Sequence, residues 1–113
     1  MKVINTTRRA VISEHLTVAG TFWARLAGLL NRKSLPQGEG LLIINCQAIH
    51  MFFMKFSIDA IFIDKNHSVV GLVENIKPFE MSSFFWKANG VIELPVGTIQ
   101  KSRTEVGDVL EIK

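Results

Sequence analysis

The sequence predicts a mainly β domain, either a small β-sandwich or a partly closed barrel, with one covering α-helix at about residues 21–33. Three observations support this class: short apolar runs bounded by turn residues recur along the chain, only one long segment has a helical period, and 48% of the 113 residues are hydrophobic. A chain of this length forms one domain and can bury about 65% of its unfolded surface. We therefore treat residues 1–113 as a single domain.

The helical period lies between Thr21 and Lys33. Thr21 is a good helix-capping residue, and an apolar stripe with helical spacing follows it, made of Phe22, Leu26, Leu29 and Leu30. Arg25 flanks this stripe, so we expect its side chain to reach the edge of the core.

The other periodic segments are predicted strands. Residues 9–18 alternate as a half-buried strand, with Glu14 as the exception to the pattern. Residues 58–64 are apolar on both faces, which is typical of a central strand buried on both sides. Residues 65–68 form a turn that makes a hairpin with the next strand. Further strands are predicted at residues 3–5, 41–45, 49–53, 69–76, 91–95 and 109–112, with one helical turn at 98–103.

The stretch from Ile49 to Asp64 combines a histidine, two methionines and two aspartates with many apolar residues. Asp59 lies in the predicted buried strand, where an unpaired carboxylate is strongly unfavourable. We therefore expect Asp59 to accept a charged hydrogen bond or several hydrogen bonds. Arg25 is the leading candidate partner, because its planar guanidinium matches a carboxylate.

Several motifs together resemble one family. They are Arg25-x-x-Gly28-Leu29, Ile49-His50-x-Phe52-x-Met54-x-Phe56-x-Ile58-Asp59-x-x-Phe62-x-Asp64, Val91-Ile92-Glu93-Leu94-Pro95-x-Gly97 and Gly107-Asp108. Over roughly residues 10–112 the chain resembles the bacterial and archaeal family called domain of unknown function one hundred and ninety-two. Ser57 stands where we expect proline, and Met51 where one branch has a small hydroxyl residue. The resemblance implies a compact, mainly β fold and no established activity, cofactor or catalytic residue.

Four polar residues occupy the most apolar contexts of the sequence: Arg25, His50, Asp59 and Glu93. Two interpretations remain open. One is a structural network of ion pairs and hydrogen bonds that fastens the helix to the sheet. The other is a small hydrolase-like enzyme that uses the carboxylates of Asp59 and Glu93 with a cationic partner. An enzyme needs at least one of these carboxylates in an open site, whereas a structural network is sealed.

Residues 79–90 have no clear period and contain three adjacent aromatic residues, Phe84, Phe85 and Trp86. Either this loop folds back and covers the core, or it exposes an apolar patch that contacts a partner. We expect the loop to be more exposed or more mobile than the strands beside it.

The sequence shows no complete metal, cofactor or nucleophile motif. Cys46 and His50 lie four residues apart, but zinc sites use closer, repeated pairs of ligands. A nucleophile elbow and a phosphate-binding glycine loop are both missing from the sequence. We therefore predict no metal and no cofactor.

The composition excludes several kinds of partner. The net charge is +3, and the 13 basic residues are dispersed, which argues against nucleic acid. No apolar run reaches the roughly 20 residues of a membrane-spanning helix. The first residues do not resemble a secretory signal, and one cysteine excludes an internal disulfide. We expect a cytoplasmic, non-enzymatic binding or accessory domain, whose protein or small-molecule partner contacts a pocket or the loop at 79–90.

Overall fold

The computed structural model describes residues 1–19, 32–52 and 54–113, which form two β-sheets and one short helix. The predicted mainly β class is confirmed. Most of the helix predicted at residues 21–33 lies outside the described residues. The elements are β1 (Val3–Asn5), β2 (Ala10–Ser13), β3 (His15–Ala19), β4 (Glu39–Ile44), β5 (Ile58–Ile63), β6 (Val69–Ile76), β7 (Gly90–Leu94), α1 (Thr98–Ser102) and β8 (Leu110–Ile112).

The larger sheet has five strands in the order β3-β4-β7-β5-β6. Only β3 and β4 are parallel; the other neighbours are antiparallel. All six residues of β5 are buried, as expected for a strand with apolar residues on both faces. The predicted hairpin between β5 and β6 is present, and Asp64 Oδ1 stabilises its turn by accepting hydrogen bonds from the backbone N–H groups of Asn66 and Ser68, both at 2.9 Å.

The smaller sheet has three antiparallel strands in the order β2-β1-β8. It joins the first and last strands of the chain, and the ladder continues beyond them because Lys2 and Lys113 exchange two backbone hydrogen bonds at 2.7 and 3.0 Å. In the described part of the chain, the two sheets do not close into a barrel.

The larger sheet has a hydrophobic core on each face, because successive residues of β5 and β7 point to opposite faces and apolar residues occur on both. We call one side the small-sheet face. There, residues of β5 and β7 pack against β1, β2, α1 and β8 through Val3, Ile12, Ile61, Ile63, Ile92, Leu94, Ile99 and Leu110. We call the other side the loop face, where the sheet is covered by residues of irregular segments, namely Ile49, Met51, Met54 and Ala88.

Two strand predictions were wrong. Residues 9–18 do not form one strand but divide at Glu14 between the two sheets. The backbone N–H groups of Glu14 and His15 both donate to the carbonyl of Gly38, at 2.9 Å, and this junction lets the chain change sheets. Residues 49–53 form no strand among the described positions; His50 makes only an isolated bridge with Met81, and a turn follows.

Candidate functional site

Asp59 lies in the centre of the fold and is 1% exposed. Its Oδ2 accepts hydrogen bonds from the backbone N–H groups of Gly97 and Ile99 at 3.1 and 3.0 Å, and its Oδ1 accepts one from Asn75 at 2.9 Å. The prediction of several hydrogen bonds to this carboxylate is therefore confirmed. Its described donors are backbone groups, and Arg25, the predicted partner, lies outside the described residues.

The surrounding backbone is shaped to reach Asp59. Gly97 has φ = +97°, a conformation that glycine adopts without strain, and it directs its N–H at the carboxylate just before α1 begins. Asn75 lies at a bulge in β6, where the register with β5 shifts beside Asp59. Asp59 thus joins β5, β6 and the start of α1, and both of its oxygens accept hydrogen bonds within the fold.

Glu93 is also sealed, with 0% exposure, but it lies on the other face of the sheet. In the antiparallel pairing of β5 with β7, Asp59 stands opposite Leu94, and Ala60 stands opposite Glu93. Residues directly opposite each other project to the same face, and successive residues project to opposite faces. Asp59 therefore belongs to the small-sheet face and Glu93 to the loop face, so the two carboxylates do not form one site.

His50 lies at the surface of the loop face, whereas Asp59 belongs to the small-sheet face. It is partly exposed, its ring centroid is 4.8 Å from that of Phe52, and its Nδ1 accepts a hydrogen bond from the N–H of Phe52 at 3.4 Å. The predicted cluster of Arg25, His50, Asp59 and Glu93 is therefore not assembled as a single site by its described members.

Two irregular segments, one of residues 46–52 with 54 and 55 and the other of residues 77–88, run side by side along the loop face. Their backbones are joined by hydrogen bonds from Met51 to Glu80, from Phe79 to Met51, from Ser82 to Ile49 and from Phe85 to Gln47, at 2.7–2.9 Å. Side chains add two more: Ser82 Oγ accepts from the N–H of Ile49, and Gln47 Nε2 donates to the carbonyl of Trp86, at 2.9 and 2.8 Å. The loop at 79–90 is therefore anchored along its length.

The three adjacent aromatic residues divide between the core and the surface. The Phe85 ring lies 4.5 Å from the Phe62 ring and directly over Gly71, where an added Cβ would approach the ring to 2.3 Å. Phe84 and Trp86 instead are 66% and 71% exposed. Phe85 therefore covers the core, as one interpretation expected, whereas its two neighbours project outwards, and their contact with a partner stays a prediction.

We call the exposed apolar side chains of these two segments, taken together, the aromatic face. They are Phe52, Phe79, Met81, Phe84 and Trp86, with exposures from 40% to 71%. The same segments contain three lysines, Lys55, Lys77 and Lys87, against one glutamate, Glu80, which leaves a net charge of +2. Lys87 lies 5.1 Å from the centroid of the Trp86 ring, within range of a cation–π interaction.

A second polar cluster, centred on Asp108, was not recognised as a cluster from the sequence. The buried Asp108 Oδ2 accepts hydrogen bonds from Asn5 Nδ2 at 3.0 Å, Arg8 Nε at 3.0 Å and the N–H of Glu105 at 2.9 Å. Burial raises the pKa of Asp108, but the hydrogen bonds from Arg8, Asn5 and the Glu105 backbone together outweigh it and hold that pKa below its usual value. The Gly107-Asp108 motif was the available signal, but nothing in the sequence showed that Asn5, about a hundred residues away, is its partner.

The Asp108 carboxylate also shifts the pKa of Arg8. Its hydrogen bond with Asp108 is the main cause that raises the pKa of Arg8, and Glu105, which also forms an ion pair with Arg8, adds to it. Asp108 links the ends of the chain through Asn5 in β1 and the turn before β8. The arrangement is that of a structural cluster, because three donors within the fold use the same carboxylate oxygen.

No group of three or more potential metal ligands occurs among the described residues. Cys46, which the sequence placed four residues before His50, donates a hydrogen bond from Sγ to the carbonyl of Ala48 at 3.1 Å. No continuous strand joins Cys46 to His50, although both residues are described. No described helix is long and apolar enough to cross a membrane.

The fold and the aromatic face define a mainly β, two-sheet domain whose distinctive surface is apolar and carried by two joined loops. The family model DUF192, described as "Uncharacterized ACR", matches residues 3–112, and the chain belongs to this family. The resemblance inferred from the sequence motifs is thereby confirmed.

Relatives agree with this assignment. A UPF0127 protein of Thermococcus sibiricus is 32% identical over 114 residues, covering 96% of this chain and 73% of the relative. A UPF0127 protein of Pyrococcus abyssi is 33% identical over 116 residues, covering 96% of this chain and 95% of the relative. These names state no activity.

Two solved structures share the fold. A protein of unknown function from Novosphingobium aromaticivorans superposes with a TM-score of 0.79 at 20% identity, covering 98% of this chain and 82% of that one. A proposed transcription regulator from Sinorhizobium meliloti 1021 also gives a TM-score of 0.79, at 21% identity, covering 97% and 89%. At these identities the likeness concerns the fold alone.

Proposed function

We propose that this domain is a non-enzymatic binding module that holds a protein partner at its aromatic face. The observation that carries the proposal is the pair Phe84 and Trp86, which are 66% and 71% exposed on either side of an anchored Phe85. We infer a cytoplasmic setting, because the chain has a single cysteine and therefore uses no internal disulfide.

The energetics favour binding at this surface. Each large apolar side chain that leaves water contributes about 1.5–3 kcal/mol, which is why exposed apolar clusters commonly mark interaction sites. The backbone hydrogen bonds between the two loops already fix the backbone that carries the aromatic side chains. A partner would therefore lose little affinity to ordering this surface.

The hydrolase-like alternative has less support. Both carboxylates that it requires are sealed, and they project to opposite faces of the larger sheet. Asp59 already accepts three backbone hydrogen bonds, so its oxygens are not directed at an open site. An acid–base pair needs both groups within reach of one substrate.

The experiment places a photoreactive benzoylphenylalanine at Phe84 in the full chain, expressed in its native cell, and identifies the crosslinked protein. The matched control carries the same group at Val106, which is 64% exposed but lies on a different loop. We expect a discrete crosslinked partner from position 84 that is missing from position 106.

The purified partner is then titrated against the wild-type domain and the double variant Phe84→Ser/Trp86→Ser. We expect the double variant to bind at least about tenfold more weakly, since truncation of an aromatic anchor in a binding site typically costs 2 kcal/mol or more. A second double variant, Val11→Ser/Val106→Ser, should bind like the wild type. Equal affinity of the wild type and the Phe84/Trp86 variant would contradict the proposal.

A further inference from the structure

Within the aromatic face, Val70, Phe84, Phe85, Trp86 and Lys87 line a cleft of about 120 Å³. We propose that this cleft receives one apolar side chain of a partner peptide, and that Lys87 binds an acidic side chain next to it. This inference rests on the proposed function and specifies which kind of segment the aromatic face recognises.

The cleft is preformed by three kinds of contact. Phe85 lines the cleft and is held over Gly71 and against Phe62. The walls of the cleft include Phe84 and Trp86, and the Trp86 backbone is tied to the neighbouring loop by Gln47 Nε2 at 2.8 Å. A turn then places Lys87 at the edge, closed by the hydrogen bond from the N–H of Ala88 to the carbonyl of Phe85 at 2.9 Å.

The volume of the cleft limits the size of the group that can occupy it. Pockets for cofactors and other small-molecule ligands usually measure roughly 300–1,000 Å³, so a cleft of about 120 Å³ is too small for that class. An apolar cavity of ~150 Å³ accepts a benzene molecule. The cleft is somewhat smaller than that cavity and therefore matches one side chain of the size of leucine or methionine.

The positive charge at the cleft favours an acidic group next to the inserted side chain. Among the described residues, no acidic side chain lines the cleft, and the Lys87 ammonium lies 5.1 Å from the centroid of the Trp86 ring. The two segments that carry the aromatic face have a net charge of +2. A carboxylate beside the inserted side chain would therefore be attracted by the positive charge of Lys87.

An anionic membrane surface would also attract lysines and exposed aromatic residues. A planar surface, however, makes no use of a concave cleft, whereas a protruding side chain fills it. The cleft therefore favours a peptide, and binding to vesicles becomes one outcome of the test.

The test uses the full chain with Trp23→Phe, so that Trp86 is the only tryptophan and reports on the cleft by its fluorescence. The probes are two blocked peptides, acetyl-Gly-Glu-Leu-Glu-Gly-amide and the same peptide with glutamine in place of both glutamates. We expect the acidic peptide to cause a saturable change in emission below about 5 mM. The glutamine peptide should bind more weakly, and added salt should reduce the difference.

Variants of the cleft sharpen the result. Lys87→Gln should weaken binding of the acidic peptide about two- to fivefold, the range of an exposed ion pair, while leaving the glutamine peptide unaffected. Lys65→Gln, which removes an equal charge from the turn after β5, should change neither affinity. Phe84→Ala should weaken both peptides, and heteronuclear NMR spectra would confirm that each variant is folded.

Two results would overturn this proposal. One is no saturable response to either peptide up to about 5 mM. The other is that vesicles of phosphatidylcholine and phosphatidylglycerol shift the Trp86 emission while both peptides leave it unchanged. Either result would leave the proposed protein-binding role intact if the crosslinked partner still required Phe84 and Trp86. Loss of that requirement would instead remove the proposed function itself.

Discussion

The surroundings of Asp59 and the aromatic face differ in almost every physical respect. Asp59 has an ionisable carboxyl group, yet it is 1% exposed and accepts three backbone hydrogen bonds. Phe84 and Trp86 are apolar, yet both are about two-thirds exposed. The difference shows that a polar residue in an apolar context can serve the structure, while large apolar residues can stay exposed at the surface.

The largest effect should come from Asp59→Asn. This change removes the negative charge and points an amide N–H₂ group at backbone donors, which leaves buried N–H groups without an acceptor. We expect a loss of about 2–4 kcal/mol in the free energy of unfolding, measured by urea denaturation.

The matched control is Asp64→Asn, because Asp64 also accepts backbone hydrogen bonds, but through a single oxygen in a surface turn. Asparagine keeps that oxygen and is well suited to such turns, so the cost should stay below about 0.5 kcal/mol. Equal losses in the two variants would show that burial of Asp59 has no special role in stability.

The next effect should come from Phe85→Ala, which breaks the aromatic loop at the point where it joins the core. Phe85 packs on Phe62 and Gly71, so its removal opens a cavity and should cost about 2–4 kcal/mol by thermal or urea unfolding. A cost below ~1 kcal/mol would mean that the loop does not depend on this anchor.

A smaller effect concerns acid stability. The folded-state pKa of Asp108 lies below its unfolded value of ~3.9. Ionised Asp108 therefore stabilises the folded state above about pH 4, and this contribution is lost as the pH falls through the folded-state pKa. Asp108→Asn should be less stable near neutral pH and should show a shallower loss of stability below pH ~4. Parallel stability profiles for the two proteins between about pH 2 and 6 would contradict this linkage.

The smallest effect should come from Phe84→Ser and Trp86→Ser. Because both side chains are mostly exposed, we expect the free energy of unfolding to change by no more than ~0.5 kcal/mol for each. Circular dichroism melting curves measure this directly. A large loss in the free energy of unfolding would show that Phe84 or Trp86 contributes to the core, and it would weaken the proposed function.

The strands with the clearest sequence signal were predicted well. Local sequence pattern was sufficient to predict the strand at 58–63, the turn at 65–68 and the returning strand at 69–76, because each of them depends on neighbouring residues. The division at Glu14 was missed because a change of sheet depends on Gly38, which lies more than twenty residues away. Long-range contacts of this kind leave no local period.

The candidate site was predicted in part. The need of Asp59 for several donors followed from its apolar neighbours, but its described donors are backbone N–H groups of Asn75, Gly97 and Ile99, which side-chain chemistry does not reveal. That Asp59 and Glu93 face opposite sides required the strand register. The different roles of Phe84 and Phe85 likewise depended on which ring meets Gly71.

The pairing of β1 with β8 has a consequence for the kinetics of folding. It brings together strands separated by more than a hundred residues, so the chain must close a very long loop before this pairing yields any stabilisation. Such topologies fold slowly, in the range of about milliseconds to seconds. We expect the smaller sheet to form after the rate-limiting barrier, so that Ile112→Ala accelerates unfolding in stopped-flow experiments and leaves the refolding rate almost unchanged.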